Sequence, residues 1–327
     1  MKNIILAIET SCDDTSIAIV EDFNVIALKT NSQIEDHSKN GGVIPELASR
    51  LHSENIFNLI NITLAEANKT IHDITQIAVT QGPGLVNALQ VGVTVAKTLS
   101  ATLKIPVYGI NHIEAHIMSP FIGMKFKEVP KAAVIAVASG GHTLIGKLNT
   151  RGIEIVGSTK DDAIGEAYDK VSKILKLGYP GGPVIDELSN SFIGENDLKA
   201  PVTDMKGFDF SYSGIKSWVL KNKDNYPADK LANAFQTSAV MQLTNKIDQL
   251  VKKTKYKNVV IGGGVSANSL LRKQIENDKL NIFVPKLIYT GDNAAMIGYT
   301  LAYKLNQNKI KPMKLTMDAK PRMKIGE

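Results

Sequence analysis

The sequence predicts an α/β fold in two lobes, and three observations carry that reading. Residues 4–20, IILAIETSCDDTSIAIV, read as strand, polar turn and strand. Residues 132–148, AAVIAVASGGHTLIGKL, repeat the scheme with a small-residue turn. After each hairpin, short apolar runs alternate with longer periodic ones, the pattern of a largely parallel sheet covered by helices. At 327 residues the chain exceeds one typical domain, and the paired hairpins point to an internal duplication.

The elements follow in order. Leu47, Leu51, Leu59 and Leu64 give residues 44–68 a helical period. IAVT at 77–80 is a strand, ended by GPG at 82–84 before a helix that runs to about residue 103. VYGI at 107–110 is a strand leading straight into NHIEAH at 111–116. Residues 162–176 are helical, and GYPGGP at 178–183 turns sharply before a helix with Pro183 in its first turn. A long helix covers 228–253. VVIGGGVSAN gives strand, glycine turn and helix start, and TGDNAAMIGYTLAYKL opens the last helix.

Composition narrows the function. The apolar fraction of 43% and charged fraction of 21% are ordinary for a globular protein. No apolar run reaches the ~18–20 residues that span a bilayer. The first apolar stretch meets Glu9, Asp13 and Asp14 at once, so it is a strand and not a secretory signal. Cys12 is the single cysteine. That excludes an intrachain disulfide and a four-cysteine zinc site, and a cytoplasmic setting is expected. The net charge of +6 favours polyanionic partners. Two clusters hold the excess: Lys252, Lys253, Lys255 and Lys257, and then Lys304, Lys309, Lys311, Lys314, Lys320, Arg322 and Lys324. Each is either a solvated face or a contact for nucleic-acid phosphates.

In NHIEAH, His112 and His116 are four apart, so on a helix they share a face with Cβ atoms ~6 Å apart. One metal ion can bridge them. Two partly exposed helix histidines without a metal are the bland alternative. Glu114 lies about 200° round the helix from His112 and points away, unlike the base of a zinc peptidase. Asp292 in TGDNAAM is a candidate third ligand and equally a candidate helix N-cap. The turns SGGH (139–142), PGGP (180–183) and GGG (262–264) suit phosphate oxygens, although none matches a P-loop or dinucleotide fingerprint. The hydroxyls and carboxylates of ETSCDDTS are placed to meet phosphates or a metal. Asn268 is a cap or a ribose or base contact, and Asp169 is a surface charge or a functional carboxylate.

Taken together, IETSCDDTSIAI, GGVIPELASR, GPGLVNAL, NHIEAH, SGGHT, DDAIGEAYDK, YPGGP, FSYSGIKS, GGGVSAN and TGDNAAMIG resemble, in order, the bacterial tRNA N6-adenosine threonylcarbamoyltransferases of the TsaD family. The likeness runs from residue 4 to about 298; Asn87 departs from the family's usual glycine. It implies a two-lobed actin-like (ASKHA) fold with duplicated mixed sheets and a cleft between lobes. The lobes would be 1–110 plus 293–327, and 111–292.

The resemblance also implies that His112, His116 and Asp292 hold one divalent ion per subunit, Fe(2+) or Zn(2+). Val137, Ala138, Ser139, Gly140 and Gly141 would contact substrate, with Asp169, Gly182, Asp186 and Asn268 completing the pocket. His142 is a further candidate for orientation. The reaction would move threonylcarbamoyl from threonylcarbamoyl-AMP to the exocyclic amine of the adenosine beside the tRNA anticodon, releasing AMP. Implied partners are tRNA, a TsaB-type paralogue and a TsaE-type ATPase, with no membrane. Two other classes remain in view: an actin-like regulatory ATPase without transfer activity, and a metallopeptidase, which the facing of Glu114 disfavours.

Overall fold

The apolar run IILAIE forms β1 (Ile4–Glu9), and the polar turn after it folds the chain back into β2 (Asp14–Glu21), which pairs antiparallel with β1 and then with β3 (Asn24–Ser32). A short helix α1 (Ile34–Ser38) leads to α2 (Pro45–Glu66), whose first residue is a proline, tolerated there because that N–H has no helical acceptor. β4 (Gln76–Gly82), α3 (Val86–Leu103) and β5 (Val107–Asn111) follow, and α4 (His112–Met118) starts with no intervening loop. β4 runs parallel to β1, and β5 runs parallel to β4. The sheet order is β3-β2-β1-β4-β5.

The second half repeats this plan. β6 (Ala133–Ala138), β7 (Thr143–Asn149) and β8 (Gly152–Ser158) form an antiparallel meander. Helices α5 (Ile164–Ile174), α6 (Gly181–Ser191), α7 (Ser213–Asn222) and α8 (Ala228–Thr254) come before β9 (Asn258–Gly262). α9 (Ser269–Ile275) and β10 (Asn281–Phe283) complete the sheet, with β9 parallel to β6 and β10 parallel to β9. Its order, β8-β7-β6-β9-β10, matches the first sheet strand for strand. α10 (Ala294–Asn306) then returns to the first sheet, and the chain ends in a segment without regular structure.

This computed structural model describes residues 3–39, 41–203 and 205–327. The chain forms two units, Met1–Val129 with Gly291–Glu327, and Pro130–Thr290. The division falls after Val129 and not after residue 110. The reason is that α4 is buried along its whole length and packs on α10, so it belongs to the first unit. Both sheets are mixed: in each, two antiparallel pairings accompany two parallel ones, where the alternation of elements alone suggested mainly parallel strands. Duplicated mixed sheets are what the family resemblance implied.

Burial explains the apolar strands. In β1, Leu6 and Ile8 join the core under α2 and α3 with Ile56, Leu59, Ile60 and Val93. Ala7, pointing to the opposite face, meets α10, where a Cβ on Gly298 would come within 2.6 Å of Val20 Cγ2 and 3.1 Å of Ala7 Cβ. Both faces are covered, so the strand reads as a continuous apolar run. In the second unit, Val134, Ala136, Val259 and Ile261 pack with Tyr168 and with Phe235, Ala239 and Leu243 of α8.

Residues 307–327 are held from the start of β5 to the carboxyl ends of β4 and β5. Met313 N–H donates to Val107 O (2.7 Å), and Lys320 N–H donates to Gln81 O (2.7 Å). Gln81 Nε2 donates to Asp318 O at 2.9 Å, while Met313 and Met323 are buried. The fit at Gly82 is so close that a Cβ there would collide with the Lys320 carbonyl. Gly82→Ala therefore loosens the segment, at a cost of about 1–3 kcal/mol for overpacking. Tryptic cleavage after Arg322 and Lys324 should accelerate roughly tenfold, tracking the opened population.

Candidate functional site

β1, β4 and β5 are parallel neighbours, and their carboxyl ends present Glu9, Thr80 and Asn111 together. Ligands gather at such strand ends because the loops and helix starts there can be varied without disturbing the sheet. Asn111 turns strand into helix in one residue: its Oδ1 accepts from Ile113 N–H (3.0 Å) and Glu114 N–H (3.1 Å). The first helical residue is His112, and His116 follows one turn later. Both are buried, at 5% and 0% exposure, unlike the partly exposed pair that was the bland alternative.

Their Nε2 atoms lie 3.1 Å apart. Asp292 Oδ1 is 3.0 Å from His116 Nε2 and 3.5 Å from His112 Nε2. Asp292 is not the helix cap; Asn293 caps α10 by accepting from Met296 N–H at 3.0 Å. That frees the aspartate to face the histidines. Glu114 points elsewhere, pairing with Lys304 and accepting from Gly326 N–H at 3.2 Å. It is spent on packing, and the peptidase arrangement is absent from this helix.

The sequence reading placed Glu9 only among the carboxylates of ETSCDDTS and gave it no partner. Its carboxylate is fully buried, with Oε1 accepting from Ser11 N–H at 2.5 Å and Oε2 from the Thr80 hydroxyl. Oε2 also lies 3.2 Å from His112 Nδ1, and Ser11 Oγ lies 3.2 Å from the same nitrogen. A carboxylate oxygen accepts here, so Nδ1 donates to it and Nε2 is turned toward His116 and Asp292. The available signal was a charged residue closing an apolar strand at an inward position.

Two imidazole nitrogens and a carboxylate oxygen at these separations can share protons or one metal ion, and two His with one carboxylate is a donor set for a transition-metal ion. His112, His116 and Asp292 are the group of three or more such side chains placed for this among the described residues. Charge in the metal-free protein agrees. Burial opposes the His112 imidazolium, but Asp292 and Glu9 outweigh it and push His112 up to about 9. Burial and the neighbouring His112 push His116 down. In the adjacent turn, burial pushes Asp14 up to about 7, with Asp13, Asp292 and Glu9 adding to it against a Ser32 hydrogen bond. Cys12 is likewise driven up by burial, then by Asp13 and Asp292.

The second unit gathers the glycine turns. Ser139 N–H donates to His142 O (2.8 Å), closing the SGGH turn after Val137 and Ala138 of β6. Gly165, Gly181 and Gly263 are close-approach positions. A Cβ on Gly165 would lie 2.6 Å from Ser139 O, one on Gly181 2.7 Å from Asp169 Cα, and one on Gly263 would strike Ala138 O. Gly140, Gly141, Gly182 and Gly264 instead face open space. The side chains around them are tied to one another. Asp169 accepts from Gly181 N–H at 2.7 Å. Asp186 accepts from Ser269 N–H (3.0 Å) and Gln236 Nε2 (2.9 Å). Asn268 caps α9 through Leu271 N–H (2.9 Å) and donates to Gln236 Oε1 (2.8 Å). Asp169 is thus a tether between α5 and α6 and not a plain surface charge, and Asn268 is the cap. Asp161 plays a similar part, accepting from the Ser211 (2.5 Å) and Ser213 (2.7 Å) hydroxyls and fixing the start of α7. Asn87, the departure from the family pattern, is exposed in the first turn of α3, outside the GPG turn.

Gly181→Ala should lower stability by about 1–3 kcal/mol through overpacking, while Gly182→Ala stays within about 0.5 kcal/mol; urea unfolding of the two variants checks this. Asp14 yields a pH signature. Its folded value lies above the unfolded carboxyl value near 3.9, so the native state holds the extra proton and wild-type stability falls as pH rises from about 4 to 7. Thermal unfolding of metal-free Asp14→Asn should lack that fall. The gap in Tm between variant and wild type widens over this window and is constant above it.

The family model described as "TsaD: tRNA N6-adenosine threonylcarbamoyltransferase" matches residues 24–299. A protein of that name from Clostridium novyi (strain NT) is 44% identical, covering 99% of this chain and 98% of the relative. One from Thermosipho africanus (strain TCF52B) is 41% identical, covering 98% and 100%. Among solved structures, HypF of T. kodakarensis gives a TM-score of 0.63 at 13% identity over 94% of this chain and 48% of that one. Component A of the Acidaminococcus fermentans (R)-2-hydroxyglutaryl-CoA dehydratase gives 0.57 at 14% identity over 92% and 99%. These structures are likenesses of fold alone. The extent and identity of the sequence match decide the family: the chain belongs to the TsaD family of tRNA N6-adenosine threonylcarbamoyltransferases.

Proposed function

We propose that the protein transfers a threonylcarbamoyl group from threonylcarbamoyl-AMP to the exocyclic amine of the adenosine beside the anticodon of tRNA, releasing AMP. The observation that carries the mechanism is the buried convergence of His112, His116 and Asp292. These three would hold one divalent ion, Fe(2+) or Zn(2+), and the ion would supply Lewis acidity toward the group being transferred. Three protein ligands leave room for a substrate atom, as catalytic metals require.

The chain's own residues supply the positioning. Glu9 holds His112 by Nδ1, and Asn111 fixes the start of the helix that carries both histidines. The open faces of Gly140 and Gly141, by the start of α5, and of Gly182, in the first turn of α6, suit the phosphate of the AMP portion. Val137, Ala138 and Ser139 bring the turn to that place. Asp169, Asp186 and Asn268 keep its walls in register, and His142 stands at the turn's end. An adenine amine is a weak nucleophile, but the acyl donor carries a good leaving group, so orientation accounts for much of the rate. A TsaB-type paralogue and a TsaE-type ATPase are proposed partners. No helix among the described residues is long and apolar enough to cross a membrane.

The test is mass spectrometry of nucleosides from unmodified tRNA incubated with the protein, threonylcarbamoyl-AMP and the two partners. Wild type should produce threonylcarbamoyladenosine. Glu9→Gln should bind the ion about 10–100-fold more weakly, the range for an outer carboxylate partner. His112→Ala should lose still more metal and at least about a hundredfold in transfer, since it removes a ligand outright. Equal product from His112→Ala would remove the metal role, and no product from wild type beside an active relative would favour the regulatory ATPase.

A further inference from the structure

The segment after α10 carries the larger basic cluster and runs from the start of β5, where Lys311 and Lys314 flank Met313, to the histidine helix, where Arg322 and Lys324 arrive. Residues 307–327 hold six basic side chains against two acidic ones, and so supply four of the chain's net +6. One of the acids, Asp318, is already paired with Lys97 of α3 at 3.1 Å. Lys309, Lys311, Lys314, Arg322 and Lys324 are exposed. Exposed cations spaced along one stretch of backbone form the electrostatic footprint that a polyphosphate recognises.

The anchoring of the segment separates this cluster from an ordinary solvated face. Asn111 caps α4 with its oxygen, and its Nδ2 donates to Lys324 O (3.1 Å) and Met323 O (3.5 Å). Gly326 N–H donates to Glu114 Oε1 at 3.2 Å. The residues immediately before and two after His112 therefore grip the segment by its backbone, leaving the basic side chains to face outward. The other basic cluster belongs to the second unit. Lys252, Lys253, Lys255 and Lys257 sit at the end of α8 in the second unit, with Lys253 lying over the Phe208 ring at 5.3 Å. Lys304 is committed to Glu114 and drops out of the strip.

We propose that Lys309, Lys311, Lys314, Arg322 and Lys324 form the docking strip for the phosphates of the tRNA substrate. Phosphate contacts fix position and register and carry no sequence information. The bonds from Asn111 and Glu114 set how far the bound RNA lies from His112, His116 and Asp292. The proposal rests on the transferase reading for the identity of the RNA.

The experiment compares binding of an unmodified tRNA transcript by wild type and by a variant with these five residues changed to glutamine, across about 50–200 mM salt. The backbone anchors are untouched, so the variant should unfold at the wild-type midpoint. Its affinity should fall at least tenfold at low salt. The slope of log K against log salt should become shallower by about 0.7–0.9 for each phosphate that the variant no longer neutralises. A second variant, with Lys252, Lys253, Lys255 and Lys257 changed to glutamine, should keep the wild-type affinity and slope. Wild-type binding by the first variant, loss of binding in the second instead, or a wild type that binds no transcript would each overturn the strip. A wild type that binds the transcript but yields no threonylcarbamoyladenosine with active partners would overturn the transferase reading and leave the strip standing.

Discussion

A carboxylate without access to water must be satisfied by hydrogen bonds or lose its charge, and the first unit is arranged to satisfy Glu9. The backbone of Ser11, the hydroxyl of Thr80 and the ring of His112 all turn toward it. These groups come from three different segments, so the ends of β1, β4 and β5 are held in one register by a buried polar network. Such networks specify geometry tightly because each unpaired member would be costly. The orientation of His112 follows from that cost, and the convergence with His116 and Asp292 follows from the orientation.

The same economy of polar groups governs the surroundings. Asn111 uses both ends of its amide, one to begin α4 and one to hold the C-terminal segment. Glu114, buried on the side away from the histidines, is matched by Lys304 and a backbone N–H, which fastens α4 to α10 and to the same segment. Helix α4 has only seven residues, too short to be stable by its own hydrogen bonding. Its neighbours hold it, and the site is therefore as rigid as the core around it.

The second unit applies one sheet plan to a different end. Its strands repeat the order of the first, but the turns after β6 and β9 are glycine-rich, where β1 ends at Glu9 and β5 runs into His112. Backbone approaches backbone at Gly165, Gly181 and Gly263, which brings three turns together without side chains between them. The result is an open, glycine-lined surface framed by the Asp169, Asp186 and Asn268 tethers.

By itself the sequence determined the alternation of strands and helices, the two hairpins, the shared face of His112 and His116, and the turning of Glu114 away from that face. These depend on local period, which a single chain displays. β3, β8 and β10 escaped the reading: β3 and β8 are partly exposed and carry polar residues, and β10 has only three residues. Only the tertiary structure decided between Asp292 and Asn293 as the cap, because both residue types cap helices and neither spacing nor composition separates them. It also drew α4 into the first unit and gave Glu9 its partners. It brought the basic end of the chain to Asn111 as well. Each of these contacts joins segments far apart in sequence, and they become visible only when burial forces distant polar groups to find one another.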